Sequence, residues 1–168
     1  QANFPTQIYE VKAAIRWIHQ NGQNYRLDAN RIALMGESSG AHLAMLTAAT
    51  IGTDVLDNRN FGDAGVSSEQ IAAVIALYGP YHFDQFQRQF LASGVEPKYS
   101  ETGTAESFEG QLFGQQAPKD VPDLVRAYNP TTYLSKKLPP ILLFAGKEDA
   151  VVPYQQSVNL LKAIRVYL

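Results

Sequence analysis

Cysteine is absent from the 168 residues, which excludes disulfides, thiol nucleophiles and thiolate-held zinc and leaves both reducing and oxidising compartments open. Neither sign of charge predominates: 14 lysines and arginines stand against 16 aspartates and glutamates, a net charge of −2. They are scattered, with no basic stripe that would follow a phosphate backbone or an anionic membrane, so nucleic acid is not an expected partner. The longest apolar runs fall far short of the roughly 20 residues a bilayer-spanning helix needs, and no basic-then-apolar leader opens the chain. Gln1 rather than methionine stands first, which leaves room for a leader already removed, and the compartment is undetermined. What is present is a chain 45% hydrophobic and 11% aromatic, enough for one globular domain with a real core.

The periodicities alternate between helix and strand. From Pro5, Ile8, Val11, Ile15 and Ile18 recur at helical spacing, and Asn21-Gly22 supplies a stop. A turn at Asp28 to Asn30 leads into a short apolar strand over Arg31 to Met35. Ala41 to Ala49, rich in Ala, Leu and Met, reads as a buried helix. The many Gly, Asp and Asn residues from 51 to 70 predict an irregular loop. Further strands are expected over Ile71 to Tyr78 and Ile141 to Ala145, and an amphipathic helix starts at Pro153 and carries Val158, Leu161 and Ile164. Such alternation indicates an α/β layered fold: a parallel sheet with helical crossovers and cover on both faces. There is no internal repeat or second-domain boundary. The segment from about Asp84 to Leu138, with Phe86, Phe90, Phe108 and Phe113 among glycines and prolines, is expected to be a mostly helical excursion over a pocket. Those aromatics would either line the pocket as an apolar acyl or aryl site or pack the excursion itself.

The strongest chemical signal is Gly36-Glu37-Ser38-Ser39-Gly40, because it falls between a predicted strand and a predicted helix. A Gly-x-Ser-x-Gly turn in that context lifts a serine hydroxyl above the sheet. Both Gly36 and Gly40 are expected where side chains would collide with neighbouring strand and helix. The amide of Ser39, at the helix start, would point at a developing oxyanion. Downstream, Asp149 follows the 141–145 strand, where open α/β sheets place functional groups. It is the better acid candidate, with Glu148 adjacent and a turn or cap role as the plainer reading. A serine nucleophile needs a base, and His19, His42 and His82 all precede Asp149, against the order serine, acid, histidine used on this kind of sheet. Surface or supporting roles suit them better. His82, at a strand's C-terminal end, is the least unsuitable.

Together these segments resemble the α/β-hydrolase carboxylesterases of the hormone-sensitive-lipase-like and feruloyl-esterase-like group. The resemblance runs through Phe4, Pro5, Gln7 and Ile8 into Val11 to Trp17, then Asp28, Asn30, Arg31 and Ile32. It continues through GESSGAHLA, LYGPYHF, NPTTYLS and PPILLFAGKEDAVVPYQQS. It implies Ser38 as nucleophile, the Ser39 amide as an oxyanion donor, Asp149 as triad acid, a small-molecule ester as substrate, and no metal or organic cofactor. It also implies that a His-Gly-Gly oxyanion motif would lie upstream of Gln1 and the triad histidine beyond Leu168. The chain would then be an incomplete hydrolase domain, inactive alone, whose exposed sheet edges favour self-association. The family often has histidine where Ala145 stands, a departure that touches the subgroup and not the triad mapping. A peptidase or acyltransferase of the same fold, or a non-catalytic binding module, remains as an alternative.

Overall fold

The computed structural model describes residues 4–58, 60 and 70–167. Helix α1 (Thr6–Asn21) ends at the expected Asn21-Gly22 stop, but that glycine keeps right-handed geometry and the chain tightens into a 3₁₀ turn, Gly22–Tyr25. Arg26, at φ 59°, is the left-handed residue that ends it. The buried face of α1 is also less apolar than its spacing suggests, combining Ile8 and Ile15 with Lys12 and Arg16. Those two cations reach the chain leaving the next helix. Lys12 Nζ donates to the carbonyls of Thr50 and Val55 at 3.3 and 2.8 Å. Arg16 pairs with Asp57 at 3.1 Å and donates to the Asn58 carbonyl. A helix C-terminus presents carbonyls without intrahelical partners and a partial negative charge, so a lysine beneath it satisfies both needs.

Strand β1 (Ala33–Glu37) starts and ends two residues later than expected, reaching the serine itself, and helix α2 (Ser39–Thr50) follows after a single residue. Residues 51–58 form turns, as their composition predicts; 59 and 61–69 lie outside the described residues. Strand β2 (Ala73–Leu77) and strand β3 (Ile141–Phe144) complete a parallel sheet in the order β1-β2-β3, with Glu37 level with Leu77 and Leu77 level with Phe144. Between β2 and β3 lie α3 (Phe86–Ser93), α4 (Phe108–Leu112) and α5 (Pro122–Tyr128), with short 3₁₀ turns between them. Helix α6 (Gln155–Arg165) closes the described chain, its buried stripe falling on Gln156, Ser157, Leu160 and Ile164. Val158 is half-buried and Leu161 exposed, so the stripe is rotated from the expected one.

Strand side chains alternate between faces, and the two faces here have different fates. Leu34, Val74, Ala76, Ile141 and Leu143 join Ile15 of α1, Ala41, Ala44, Met45 and Ala48 of α2, and Leu160 and Ile164 of α6 in one core. On the opposite face Met35, Leu142 and Phe144 are 69, 50 and 55% exposed. Cover on both sheet faces is therefore not found among the described residues: the helices packed on the sheet core, α1, α2 and α6, share one side. The apolar alternation that makes a parallel strand is the same whichever element later covers it.

Candidate active site

The junction between β1 and α2 is tightly constrained. Ser38 is its single residue, at φ 51° and ψ −121°. A side chain at positive φ costs about 1–3 kcal/mol and persists only where the surroundings over-determine it. Here they do: Ser38 N–H donates to the Leu77 carbonyl of β2 at 2.9 Å, while Ser38 C=O accepts from the amides of Ala41 and His42 at 3.0 and 3.2 Å. Sheet and helix hold the residue from opposite sides.

The two glycines of the pentapeptide turn out to differ. A Cβ on Gly36 would stand 2.2 Å from the carbonyl oxygen of Gly40 and 2.7 Å from the Ala41 nitrogen, so no side chain fits. A Cβ on Gly40 would meet nothing within 4 Å. The expected collision at Gly40 is thus corrected: the close approach is of Gly36 to the first turn of α2, and Gly40 contributes its backbone to that contact.

Ser38 opens on a cavity of about 360 Å³, lined also by Ser39, Pro80, Phe83, Phe86, Tyr99, Phe108, Glu109, Leu112, Val151 and Val152. Val151 and Val152 tie this cavity to the Asp149 loop, because Asp149 Oδ1 accepts from both their amides, at 2.8 and 3.0 Å. Both bonds use the same carboxylate oxygen. Glu148 points elsewhere, lining a separate hollow with Ala92 to Val95, Lys147 and Tyr154. The excursion is fastened to the same loop where Lys98 N–H donates to the Ala150 carbonyl at 2.8 Å. Tyr78, level with Ser38 at the end of β2, is a second strained residue at φ 42°. Its hydroxyl donates to the Glu37 carboxylate. That bond above all, then burial and the negative charges of Glu37 and Asp149, holds the phenol above its ordinary pKa.

The histidines are engaged elsewhere. His42 is buried on α2 and its Nε2 meets the Tyr128 carbonyl at 2.7 Å, so Nε2 carries the proton. Burial pushes its pKa down to about 4 against the opposing effect of that bond. Exposed His82 pairs with Asp84 at 3.0 Å, and its backbone is gripped by Gln156. His19 lies in the last turn of α1. None of the three lines the Ser38 cavity.

The aromatic residues divide between the two roles. Phe90 and Phe113 are 2 and 3% exposed and pack the interior of the excursion, whereas Phe108 is 62% exposed and stands at the cavity. Phe86 is both buried and cavity-lining. The spacing of residues carried no signal for Tyr99, Leu112, Val151 or Val152 as pocket walls, since loops far apart in sequence bring them together.

The chain is similar to Esterase LipC of Mycobacterium tuberculosis, 26% identical over 162 residues that make up 96% of this chain and 37% of that protein. Among solved structures it is similar to the bifunctional GH43-CE of Bacteroides eggerthii, with 34% identity and a TM-score of 0.83 over 98% of this chain and 23% of that one. A truncated carbohydrate esterase from gut microbiota gives 29% identity and a TM-score of 0.82, covering 98% of this chain and 57% of that one. The chain spans about a third of the length of the curated relatives it matches. With a three-stranded parallel sheet, a strained serine between strand and helix, and a BD-FAE sequence model matching residues 1–164, this α/β-hydrolase-fold chain belongs to the BD-FAE family.

Proposed function

We propose that the complete protein is a serine hydrolase that cleaves carboxylic esters through an acyl-enzyme. The observation that carries this reading is the strained Ser38, which lines an apolar cavity together with Val151 and Val152, the residues whose amides hold Asp149. In the proposed reaction Ser38 Oγ bonds to the ester carbon as a histidine takes its proton. The Ser39 amide, at the positive end of α2, stabilises the oxyanion. The histidine then protonates the departing alcohol, and water attacks the acyl-Ser38 in the reverse sense. Asp149, with Oδ1 held by two amides, presents Oδ2 to the imidazole. Ester, serine, base and water balance every atom, so no cofactor enters. His42 is a neutral buried donor and His82 is paired with Asp84, so we assign the base to a histidine outside these 168 residues. Residues 84–138 act as a cap-like excursion within one domain.

The esterase names of the relatives favour ester over amide or acyl-acceptor chemistry. The test is fluorophosphonate labelling and p-nitrophenyl acetate turnover on these 168 residues and on the complete polypeptide that carries them. Labelling and turnover are expected in the complete polypeptide and absent from the isolated chain, with Ser38→Ala lowering kcat at least about 10⁴-fold. A complete polypeptide that neither labels nor turns over would replace the catalytic reading with a ligand-binding one. Sedimentation of the isolated chain reads whether its open sheet edges and uncovered face associate with a second copy.

A further inference from the structure

A second cavity, of about 430 Å³, lies beside the one that holds Ser38. It is lined by Phe4, Gln7, His42, Leu43, Gln111 and Tyr128, and shares four residues with the first: Ser39, Phe83, Phe108 and Leu112. Ser38 borders only the first. We propose that these are separate acyl and alcohol subsites and that Phe108 is the specificity-determining wall between them, selecting esters bulky on both sides of the carbonyl. The inference rests on the ester-hydrolase reading and refines it.

The assignment of the two halves follows from connectivity. The acyl group stays bonded to Ser38 after the alcohol departs, so it occupies the cavity that Ser38 borders, among Phe83, Phe86, Tyr99, Val151 and Val152. The alcohol departs across the shared Ser39 edge into the second cavity, where Gln7 and Gln111 add amide groups to the apolar walls. At about 360 and 430 Å³ each cavity falls within the range of about 300–1,000 Å³ usual for small-ligand pockets. An acetyl or methyl group would leave either one largely empty.

Among the shared side chains, Phe108 is the one built to discriminate. Phe83 is 2% exposed and locked by edge-on contacts to Phe113 and Tyr128. Phe108 is 62% exposed, meets the Tyr99 ring edge-on at 5.2 Å and lines both cavities. Its backbone is nevertheless fixed. Ser107 Oγ accepts from Gly110 N–H at 3.0 Å and donates to the Thr104 carbonyl at 2.7 Å, while buried Glu109 accepts from Gly103 N–H at 2.7 Å. Gly110 packs so closely that a Cβ there would lie 2.3 Å from the Thr104 oxygen. An exposed ring on a rigid turn can serve as a wall without being needed for folding.

The experiment measures kcat/KM of the complete polypeptide on four esters that combine acetyl or benzoyl with methyl or naphthyl alcohols. The wild-type protein is expected to favour the larger group on each side. Phe108→Ala should lower both the benzoyl-to-acetyl and the naphthyl-to-methyl ratios by about tenfold, the scale of losing one good apolar contact in a pocket. Phe108→Leu, a lower wall of the same character, should fall between. A variant that scales all four esters by one factor, or leaves both ratios unchanged, overturns the divider role while leaving the esterase reading intact. Wild-type protein inert toward all four removes both.

Discussion

Replacing Gly36 by alanine tests the geometry on which the Ser38 turn rests. The new Cβ would stand 2.2 Å from the Gly40 oxygen, 2.3 Å from the Gly40 carbonyl carbon and 2.7 Å from the Ala41 nitrogen, all of them backbone. Carbon contacts settle near 3.5–4.0 Å, so the first turn of α2 has to retreat by about 1 Å or more from β1. That retreat is resisted on both sides: β1 is paired with β2 along its whole length, and nine of the twelve residues of α2 are buried. Overpacking costs about 1–3 kcal/mol where side chains can adjust, and rigid backbone places this site at or above the upper end. Gly40→Ala is the matched control, since its Cβ enters open space and its helical backbone suits alanine; it should be neutral or stabilising by about 0.5–1 kcal/mol. The two variants should therefore differ by about 3 kcal/mol or more, equivalent to about 6–12 °C in Tm for a chain of this size. Urea and thermal unfolding followed by circular dichroism measure it on the 168 residues. Equal midpoints for the two variants would refute the contact between Gly36 and α2.

Two further outcomes are expected from buried polar groups. His42 is held neutral by burial, with its pKa depressed to about 4, whereas the unfolded chain binds a proton near 6.5. Its contribution is therefore fully present above pH 6.5 and is lost as pH falls through 4, by about 3 kcal/mol in all; His42→Gln should flatten stability against pH across that window in equilibrium urea titrations. Gln156 accepts from the amides of Tyr81 and His82 and donates to the His82 carbonyl and to Gln89. Gln156→Leu strands all four groups, and at about 1–3 kcal/mol for each one left unsatisfied it should cost at least about 3 kcal/mol in urea unfolding, with a smaller loss implying that water replaces the amide.

What the sequence determined by itself is local. A strand ending in Gly36, a serine and an immediate helix leave few conformations, because the junction admits one residue and the close approach beside it admits no side chain. The order of strands and helices was legible for the same reason, since periods of 2 and 3.6 are set by backbone geometry within a few residues. Tertiary structure decided what depends on neighbours far along the chain. It buried Lys12 and Arg16 beneath residues 38 to 43 positions later, and sent His42 to a carbonyl 86 positions away. It turned Asp149 toward the valines of the serine cavity and Glu148 toward another hollow. It also left Met35, Leu142 and Phe144 exposed on one sheet face and separated Phe108 from Phe90 and Phe113, residues of one type in one segment. Burial is a property of what arrives on the other side, and an apolar side chain carries the same pattern whether a helix covers it or a cavity lies before it.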